Sequence, residues 1–345
     1  MWTWFIVTSL AGPVVAGAGH SCTIVGGAAL CWGGLSDVAA RRGDVPTTPR
    51  PVRIEGVHTA AGIAAGGGTR SCAITEAGQV QCWSLGVAPA TLPLTNITQV
   101  SVGDRHACAV DGAGQAWCWG DNHRGQLGDG TTTASEQPVA VPGIADAAHI
   151  AAGWYHTCAV LRTGRVTCWG DDSHGQLGHG HQGELVPSPT PALYLEDAAK
   201  VYAGQFHTCA LRRAGALVCW GSNLSGQLGD GTRDSASVVT AVRGIDDAVA
   251  LSVGMDFACA IRAGGQLVCW GSNERGQQGQ PDSKDGLLPR RSEAPPLASV
   301  SCGAQHTCGT DFRGGPWCWG QNFAGQLGDG GRETRRQPAK VDLGL

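Results

Sequence analysis

Cysteine and histidine are the residue types here that could form disulfides or bind a metal, and both recur at regular intervals. Fourteen of the fifteen cysteines form seven pairs, nine or ten residues apart: Cys22 with Cys31, Cys72 with Cys82, Cys108 with Cys118, Cys158 with Cys168, Cys209 with Cys219, Cys259 with Cys269 and Cys308 with Cys318. A Trp follows the second cysteine of every pair, and in five copies a His stands two residues before the first. Seven copies of one pattern indicate an internal repeat.

Each cysteine pair is predicted to lie across a β-hairpin. Cys158 and Cys168 are equidistant from Thr163, and Gly164 suits the left-handed position of the turn between them. Opposed hairpin positions bring Cα atoms to about 4.5–5.5 Å, within reach of a disulfide. Buried free thiols are one alternative; zinc is another, but it needs four converging ligands, which one hairpin does not supply. We favour seven disulfides, with Cys302 left over as a buried thiol on an inner strand.

Each repeat predicts four short strands and no helix. From residue 137 onward, short apolar or alternating segments are separated by Gly, Pro and Asp, without a 3.6-residue period. A four-stranded unit repeated seven times is typical of a β-propeller. We therefore predict one all-β domain over residues 14–345, a seven-bladed propeller of four-stranded blades. Residues 336–343 match the strand that opens other units, so we expect this C-terminal strand to complete the first blade and close the ring.

The segments after the paired cysteines resemble a known family. The sequence Trp-Gly-x-Asn-x-x-Gly-Gln-Leu-Gly-Asp-Gly stands at residues 119–130 and recurs at 220–231 and 319–330. Together with Gly-x-x-His-Thr-Cys before it, this motif resembles the regulator of chromosome condensation repeat, in a cysteine-rich form of bacterial type. The resemblance implies a seven-bladed propeller. Units one and two lack the Gly-Gln-Leu-Gly-Asp-Gly segment, so we expect altered outer connections in those two blades.

The repeated aromatic and histidine residues are interpreted as structural. Each Trp is expected to fill space between sheets and each repeated His to bond a neighbouring turn, because all blades share those needs. His174, His179 and His181, on a Gly-rich loop, are the best metal candidates, but we predict no metal site and no cofactor. No recognised catalytic motif occurs, so no catalytic residue is predicted.

Binding residues are expected where the repeats differ. The two residues after each inner-strand glycine vary between units and, being equivalent, should line one rim. Large aromatic, Arg and Met side chains are enriched at protein interfaces, although these aromatics could instead cover the neighbouring blade. The predicted partner-binding rim consists of Asp104, Arg105, Trp154, Tyr155, Gln205, Phe206, Met255, Asp256 and Gln305.

The charge and composition of the chain limit the classes of function that it can have. Lys and Arg total 24 against 28 Asp and Glu, a net charge of −4, which argues against a nucleic-acid partner. We predict a non-catalytic interaction module that binds a protein partner as a monomer. Disulfides would place it in an oxidising compartment, exported or at the cell surface. The alternatives are an exchange factor for a small GTPase, implied by the family resemblance, and a glycosidase-like hydrolase using Asp104 and Asp256.

The first thirteen residues form an apolar segment without charge. A signal peptide normally carries Lys or Arg ahead of its apolar stretch, and cleavage within residues 16–18 would remove a predicted strand. Pro13 and the Gly-rich residues after it disfavour a membrane span. We expect residues 1–13 to be an export-signal remnant or an extra strand.

Peptide mapping without reductant tests the cysteine pairing. We expect seven crosslinked peptides, each joining the two cysteines of one hairpin, and alkylation of Cys302 alone after unfolding. Because a disulfide blocks alkylation, modification of all fourteen paired cysteines in the absence of reductant would contradict the prediction.

Overall fold

Seven small sheets form a ring in the computed structural model, which describes residues 12–34, 47–68, 70–84 and 86–344. These residues form 28 β-strands in seven four-stranded antiparallel sheets, and no helix occurs among them. Blades 1 to 7, numbered along the chain, each place their first strand beside the first strands of both flanking blades. The predicted seven-bladed propeller is confirmed. The described part of the chain accordingly has no membrane-spanning helix, and residues 1–11 of the apolar segment lie outside it.

The strands of each blade follow one another in chain order, from the channel outward. Blades 1 and 2 contain β1 (Val15–Ala16), β2 (His20–Val25), β3 (Ala28–Gly33), β4 (Thr48–Arg53), β5 (Ala60–Ala65), β6 (Arg70–Thr75), β7 (Val80–Ser84) and β8 (Ala90–Thr91). Blades 3 and 4 contain β9 (Ile97–Val102), β10 (His106–Asp111), β11 (Ala116–Gly120), β12 (Ser135–Ala140), β13 (Ala147–Ala152), β14 (His156–Leu161), β15 (Val166–Asp171) and β16 (Leu185–Pro191). Blades 5 to 7 contain β17 (Ala198–Ala203), β18 (His207–Arg212), β19 (Leu217–Gly221), β20 (Ala236–Ala241), β21 (Ala248–Val253), β22 (Phe257–Arg262), β23 (Leu267–Gly271), β24 (Gly286–Arg291), β25 (Leu297–Cys302), β26 (His306–Asp311), β27 (Pro316–Gly320) and β28 (Arg335–Lys340).

The two middle strands of every blade form the predicted hairpin. In blade 4, Cys158 lies opposite Cys168, and Gly164 closes the turn with a φ of 98°. The register inferred from equal spacing about the turn is therefore confirmed.

A disulfide crosslinks each of these hairpins, with Cα atoms 4.0 or 4.1 Å apart. All seven predicted pairs are present: Cys22 with Cys31, Cys72 with Cys82, Cys108 with Cys118, Cys158 with Cys168, Cys209 with Cys219, Cys259 with Cys269 and Cys308 with Cys318. Cys302 is the free cysteine, buried at the end of the innermost strand β25. The predicted pairing is thus confirmed in every blade.

Ring closure differs from the prediction. β28 pairs with β27 as the outermost strand of blade 7, whereas blade 1 is completed by its own β4, in which Val52 lies opposite Cys31. The expectation that residues 336–343 complete blade 1 is therefore wrong. The Pro-containing strand ends a repeat and does not begin one. Pro51 and Val52 in blade 1 are the counterparts of the Pro-containing segment that ends blade 7. Each blade comes from one continuous segment that begins with its inner strand.

The outer part of blade 2 departs from that of the other blades, as its missing motif predicted. β8 has only two residues and follows β7 after a short connection. Cys82 is consequently only partly buried, although its disulfide partner Cys72 is fully buried. In blade 1 the corresponding connection falls largely on residues 35–46, outside the described residues.

Adjacent blades meet through a repeated apolar contact. Trp220 of blade 5 is fully buried in one cluster with the Cys158–Cys168 disulfide of blade 4. Its Nε1 donates a hydrogen bond to the backbone carbonyl of Gln176 in blade 4, at 2.9 Å. The predicted role of the repeated Trp, space filling with one partner for its N–H, is borne out at this contact.

A buried hydroxyl and a histidine complete the contact. Thr208 of blade 5 donates to the same Gln176 carbonyl at 2.8 Å, and its Oγ1 lies 2.9 Å from Nε2 of His156 in blade 4. Because the hydroxyl proton goes to the carbonyl, His156 must donate through Nε2. Its partner is thus a strand residue of the next blade rather than a turn. We call the Trp and hydroxyl of one blade, with the His and Gln carbonyl of the preceding blade, the interblade junction.

The contact between blades 7 and 1 is another interblade junction. Trp32 of blade 1 packs with the Cys308–Cys318 disulfide of blade 7 and donates to the carbonyl of Gln326 at 2.9 Å. Ser21 replaces the threonine and bonds the same carbonyl at 3.0 Å. The ring therefore closes by the same interaction that joins blades 3 and 4 and blades 4 and 5, without exchange of a strand.

Replacing Thr208 by Val tests the energetic weight of the junction. The change keeps the shape of the side chain but leaves the His156 Nε2 proton without an acceptor, so we expect the free energy of unfolding to fall by about 1–3 kcal/mol. Urea unfolding monitored by tryptophan fluorescence would measure the loss. Thr240→Val, on the partly exposed outer strand β20, is the control and should change stability by less than about 0.5 kcal/mol. Equal effects of the two changes would contradict the assignment.

Candidate functional site

The predicted rim lies at one end of the central channel, held by a ring of glycines. A glycine ends the innermost segment of each blade: Gly17, Gly66, Gly103, Gly153, Gly204, Gly254 and Gly303. A Cβ atom on Gly153 would lie 2.7 Å from the Gly204 carbonyl oxygen and 2.7 Å from Cε1 of His156, so a larger residue would push neighbouring blades apart. The amide of Trp154 donates to the same Gly204 carbonyl at 3.2 Å. The glycine ring thus fixes the backbone from which rim side chains project.

The channel next to this ring is lined by small residues. Glycine, alanine and valine residues form most of its wall, while Trp154 and Met255 stand at its rim end and Cys302 lies in the wall. Burial raises the pKa of the Cys302 thiol to about 12, which keeps it protonated. A protonated thiol is a poor nucleophile, so Cys302 is weakly reactive in this position.

Three predicted rim residues come together as an aromatic surface. The Tyr155 and Phe206 rings are stacked, with centroids 6.2 Å apart, and Trp154 meets Tyr155 edge-on at 6.3 Å. All three side chains are partly exposed. Two histidines extend this surface, since His174 stacks on Phe206 at 4.5 Å and His123 contacts Tyr155 at 6.0 Å. We call these five side chains the aromatic cluster; it spans blades 3, 4 and 5.

Sequence reasoning did not place the two histidines at the rim. His123 was not selected, and His174 was considered only as a metal ligand. Both occupy the variable positions after Trp-Gly-x-Asn in the connection between the third and fourth strands, whose backbone bonds the rim: the amide of Asp171 donates to the Tyr155 carbonyl at 3.0 Å. The signal was therefore present, because these positions vary from unit to unit just as the rim positions do.

The other predicted rim residues are spread around the ring. Arg105 is largely exposed, and its Nε lies 3.6 Å from a carboxylate oxygen of Asp104. Asp256, three blades away, accepts a hydrogen bond from the side chain of Gln227 at 3.3 Å. Burial raises the pKa of both carboxyl groups above the usual value for Asp. The two carboxyl groups considered for a hydrolase thus lie on blades 3 and 6, each engaged with its own neighbour.

Gln205 and Gln305 each make a backbone hydrogen bond at the rim. The Gln205 amide donates to the Met255 carbonyl at 3.3 Å, and the Gln305 carbonyl accepts from the Gln321 amide at 2.9 Å. Both side chains are partly exposed. The predicted rim residues therefore share one face, and the aromatic residues among them lie on blades 4 and 5.

The histidine group on the Gly-rich loop of blade 4 does not assemble as the sequence suggested. His174 stacks in the aromatic cluster, whereas His179 and His181 converge on Asp172. One potential ligand atom from each of these three residues lies within 4.8 Å of the others. Asp172 had not been selected from the sequence; the signal that could have found it is its departure from the Asn that blades 3, 5, 6 and 7 carry at this position.

Buried histidines lie directly beneath the rim. Burial lowers the pKa of His156 to about 4 and that of His207 to about 3, so both rings are neutral near pH 7. His207 differs from the other junction histidines because blade 6 offers Ala258 where a hydroxyl would stand, and neither of its ring nitrogens has a hydrogen-bond partner among the described residues. Blade 6 itself carries Phe257 at the histidine position.

The chain matches a known family over most of its length. A family model of the RCC1-like domain covers residues 86–345. Human WBSCR16 shares 21% identity, covering 86% of this chain and 85% of that chain with a TM-score of 0.76. Yeast RCC1 (Prp20), solved with Kap60, shares 19% identity over 98% of this chain and 86% of its own, with a TM-score of 0.79. The ectodomain of the receptor kinase CR4 from Physcomitrella patens shares 18%, covering 90% and 73% of the two chains with a TM-score of 0.56.

Replacing His207 by Phe tests the electrostatic cost of these buried rings. With a folded-state pKa of about 3 against 6.5 for the free side chain, His207 takes up a proton on unfolding between those pH values. Its contribution therefore lowers stability as the pH falls below 6.5, by about 1.4 kcal/mol per pH unit. Phenylalanine, which blade 6 already carries at the equivalent position, does not titrate. The variant should therefore lose this part of the pH dependence of the free energy of unfolding, measured by urea unfolding between pH 6.5 and 4.5. His58→Phe, at an exposed site, is the control; an unchanged slope in His207→Phe would contradict the prediction.

Proposed function

This chain belongs to the RCC1-like domain family, and we propose that it is a non-catalytic interaction module whose rim binds a protein partner. The observation that carries the proposal is the aromatic cluster. It joins three blades on one face and leaves its Trp, Tyr and Phe side chains partly exposed. Such side chains supply much of the binding energy in protein interfaces.

The construction of the rim favours binding over a purely packing role. The contact between blades 4 and 5 is already filled by Trp220 and Leu177, both fully buried, so the rings above them are not needed to seal it. Trp154 instead stands at the channel mouth. The glycine ring and the Tyr155–Phe206–His174 stack already hold these side chains in place. Binding of a partner would therefore cost little conformational entropy at the rim.

Protein binding is also consistent with what is known of similar folds. Prp20 has been solved with Kap60, and its binding to Gsp1p and histones has been examined. For the present chain we propose a protein partner without assigning its identity. We further propose a monomer that is exported or displayed at the cell surface, because its seven disulfides are stable in an oxidising compartment; the similarity to the CR4 ectodomain supports this location.

The double substitution Trp154→Ala and Phe206→Ala tests the proposed binding surface. Partner proteins would be captured from extracellular and envelope fractions with the oxidised wild-type protein, and the affinity of each captured protein would then be measured with purified components. We expect the double variant to lose at least about 2 kcal/mol of binding free energy. Circular dichroism should show an unchanged fold, since both side chains lie outside the core.

Phe312→Ala provides the matched control. Phe312 is 60% exposed on the hairpin of blade 7, at the opposite face of the ring. Its removal should leave binding unchanged, and equal binding by the wild type and the double variant would refute the rim assignment. If the partner were a small GTPase whose nucleotide release the protein accelerates, the exchange-factor alternative would replace the proposal.

A further inference from the structure

Blade 4 departs from a hydrogen-bond network that the neighbouring blades share. In blade 3, Nδ2 of Asn122 donates to Oδ1 of Asp129 at 3.2 Å and to the carbonyl of Thr131 at 3.1 Å. In blade 5, Asn223 makes the same contacts to Asp230 and Thr232, at 3.3 and 3.2 Å. A side-chain amide thus ties together the connection between the third and fourth strands in both blades.

In blade 4 all three positions of this network carry a different residue. Asp172 replaces the Asn, His179 replaces the Asp and His181 replaces the Thr. Oδ1 of Asp172 still accepts a hydrogen bond from the Leu177 amide at 2.9 Å, just as the side-chain oxygen of Asn122 accepts one from a backbone amide in blade 3. Oδ2 consequently stands where the amide nitrogen would be, so a donor has been exchanged for an acceptor.

The Asp172 side chain is fully buried, and Oδ2 has no hydrogen-bond partner among the described residues. The nearest cationic candidate is Nδ1 of the half-exposed His181, at 3.5 Å. Burial raises the pKa of Asp172 to about 6, which reflects the cost of an ionised carboxylate there. A buried carboxylate oxygen without a donor is expensive, and a bound cation would remove that cost.

His179 is oriented as a metal ligand would be. Its Nε2 lies 3.1 Å from the carbonyl oxygen of Thr190 and must donate to it, because a carbonyl can only accept. Nδ1 therefore carries the lone pair, and it is buried without a partner among the described residues. Metal-binding histidines commonly donate their second ring N–H to a backbone carbonyl in this way.

We propose that Asp172, His179 and His181 form a site for a divalent transition-metal ion of the zinc type. Two imidazole nitrogens and one carboxylate oxygen suit zinc, whereas calcium and magnesium prefer oxygen ligands alone. The three ligand atoms already lie within 4.8 Å of one another. Bonds of about 2.0–2.2 Å require the three ligand atoms to approach further when the ion binds, and the half-exposed His181 has room to rotate. A water molecule completes the coordination. The ion then holds together the connection between the third and fourth strands, as the Asn amide does in blades 3 and 5.

Calorimetric titration of the chelator-treated, oxidised protein with Zn²⁺, without thiol reductant, tests the site. We expect one Zn²⁺ to bind per chain and to raise the melting temperature. The matched control is the triple variant Asp172→Asn, His179→Asp and His181→Thr, which installs the network of blade 3 and should fold normally without the ion. Loss of a direct ligand should weaken Zn²⁺ binding by more than the roughly 10–100-fold that follows when a residue hydrogen-bonded to a ligand is lost.

A second variant, His181→Ala, changes only the half-exposed ligand and leaves the buried carboxylate in place. It should also lose Zn²⁺ affinity while retaining the wild-type circular dichroism spectrum. Absence of stoichiometric Zn²⁺ binding by the wild type would overturn the proposal. Equal Zn²⁺ affinity in the wild type and the triple variant would overturn it as well, because the ion would then bind elsewhere.

Discussion

The packing of a tryptophan on the disulfide of the preceding blade is the contact on which the ring depends. The disulfide ties together the two middle strands of one blade, and Trp220 of the next blade packs against that crosslinked surface. The Trp ring is oriented by its hydrogen bond to the Gln176 carbonyl, which belongs to the connection on the rim face. One contact therefore joins the core of a blade, the neighbouring blade and the loops that present the rim. Because blades 7 and 1 make the same contact, the ring closes without exchanging a strand.

Local departures from this repeat mark the places where individual blades differ in chemistry. Blade 6 replaces the polar pair of the interblade junction by Phe257 and Ala258, so His207 keeps its buried position without its hydroxyl partner. Blade 4 exchanges an amide donor for the carboxylate of Asp172. In blade 6 the strands keep the lengths and pairing of the neighbouring blades. In blade 4 the third strand continues to Asp171, which pairs with Leu185 of a seven-residue fourth strand. A repeat fold tolerates such changes because each contact contributes only part of the total stability.

The sequence predicted the hairpins correctly, but it did not predict ring closure or the two histidines of the aromatic cluster. Equal spacing about Thr163 was sufficient to pair Cys158 with Cys168, because register in a hairpin follows from the turn. Ring closure was mispredicted because the Pro-containing strand can be counted as the start or the end of a repeat, and spacing alone does not distinguish them. His123 was missed because it reaches Tyr155 only when two blades are side by side.

What the sequence determined by itself is local and periodic: seven repeats, their strands, their turns and the cysteine pairing. These follow from contacts between residues about ten positions apart, whose geometry is set by hairpin stereochemistry. The tertiary structure alone decided which residues of different blades meet. Tyr155 and Phe206 stack across fifty residues, and Asp172 faces two histidines that displace the hydrogen-bond partners used elsewhere. Such contacts depend on the angle and distance between adjacent blades. The buried tryptophans and the closely packed glycine ring set that angle and distance together.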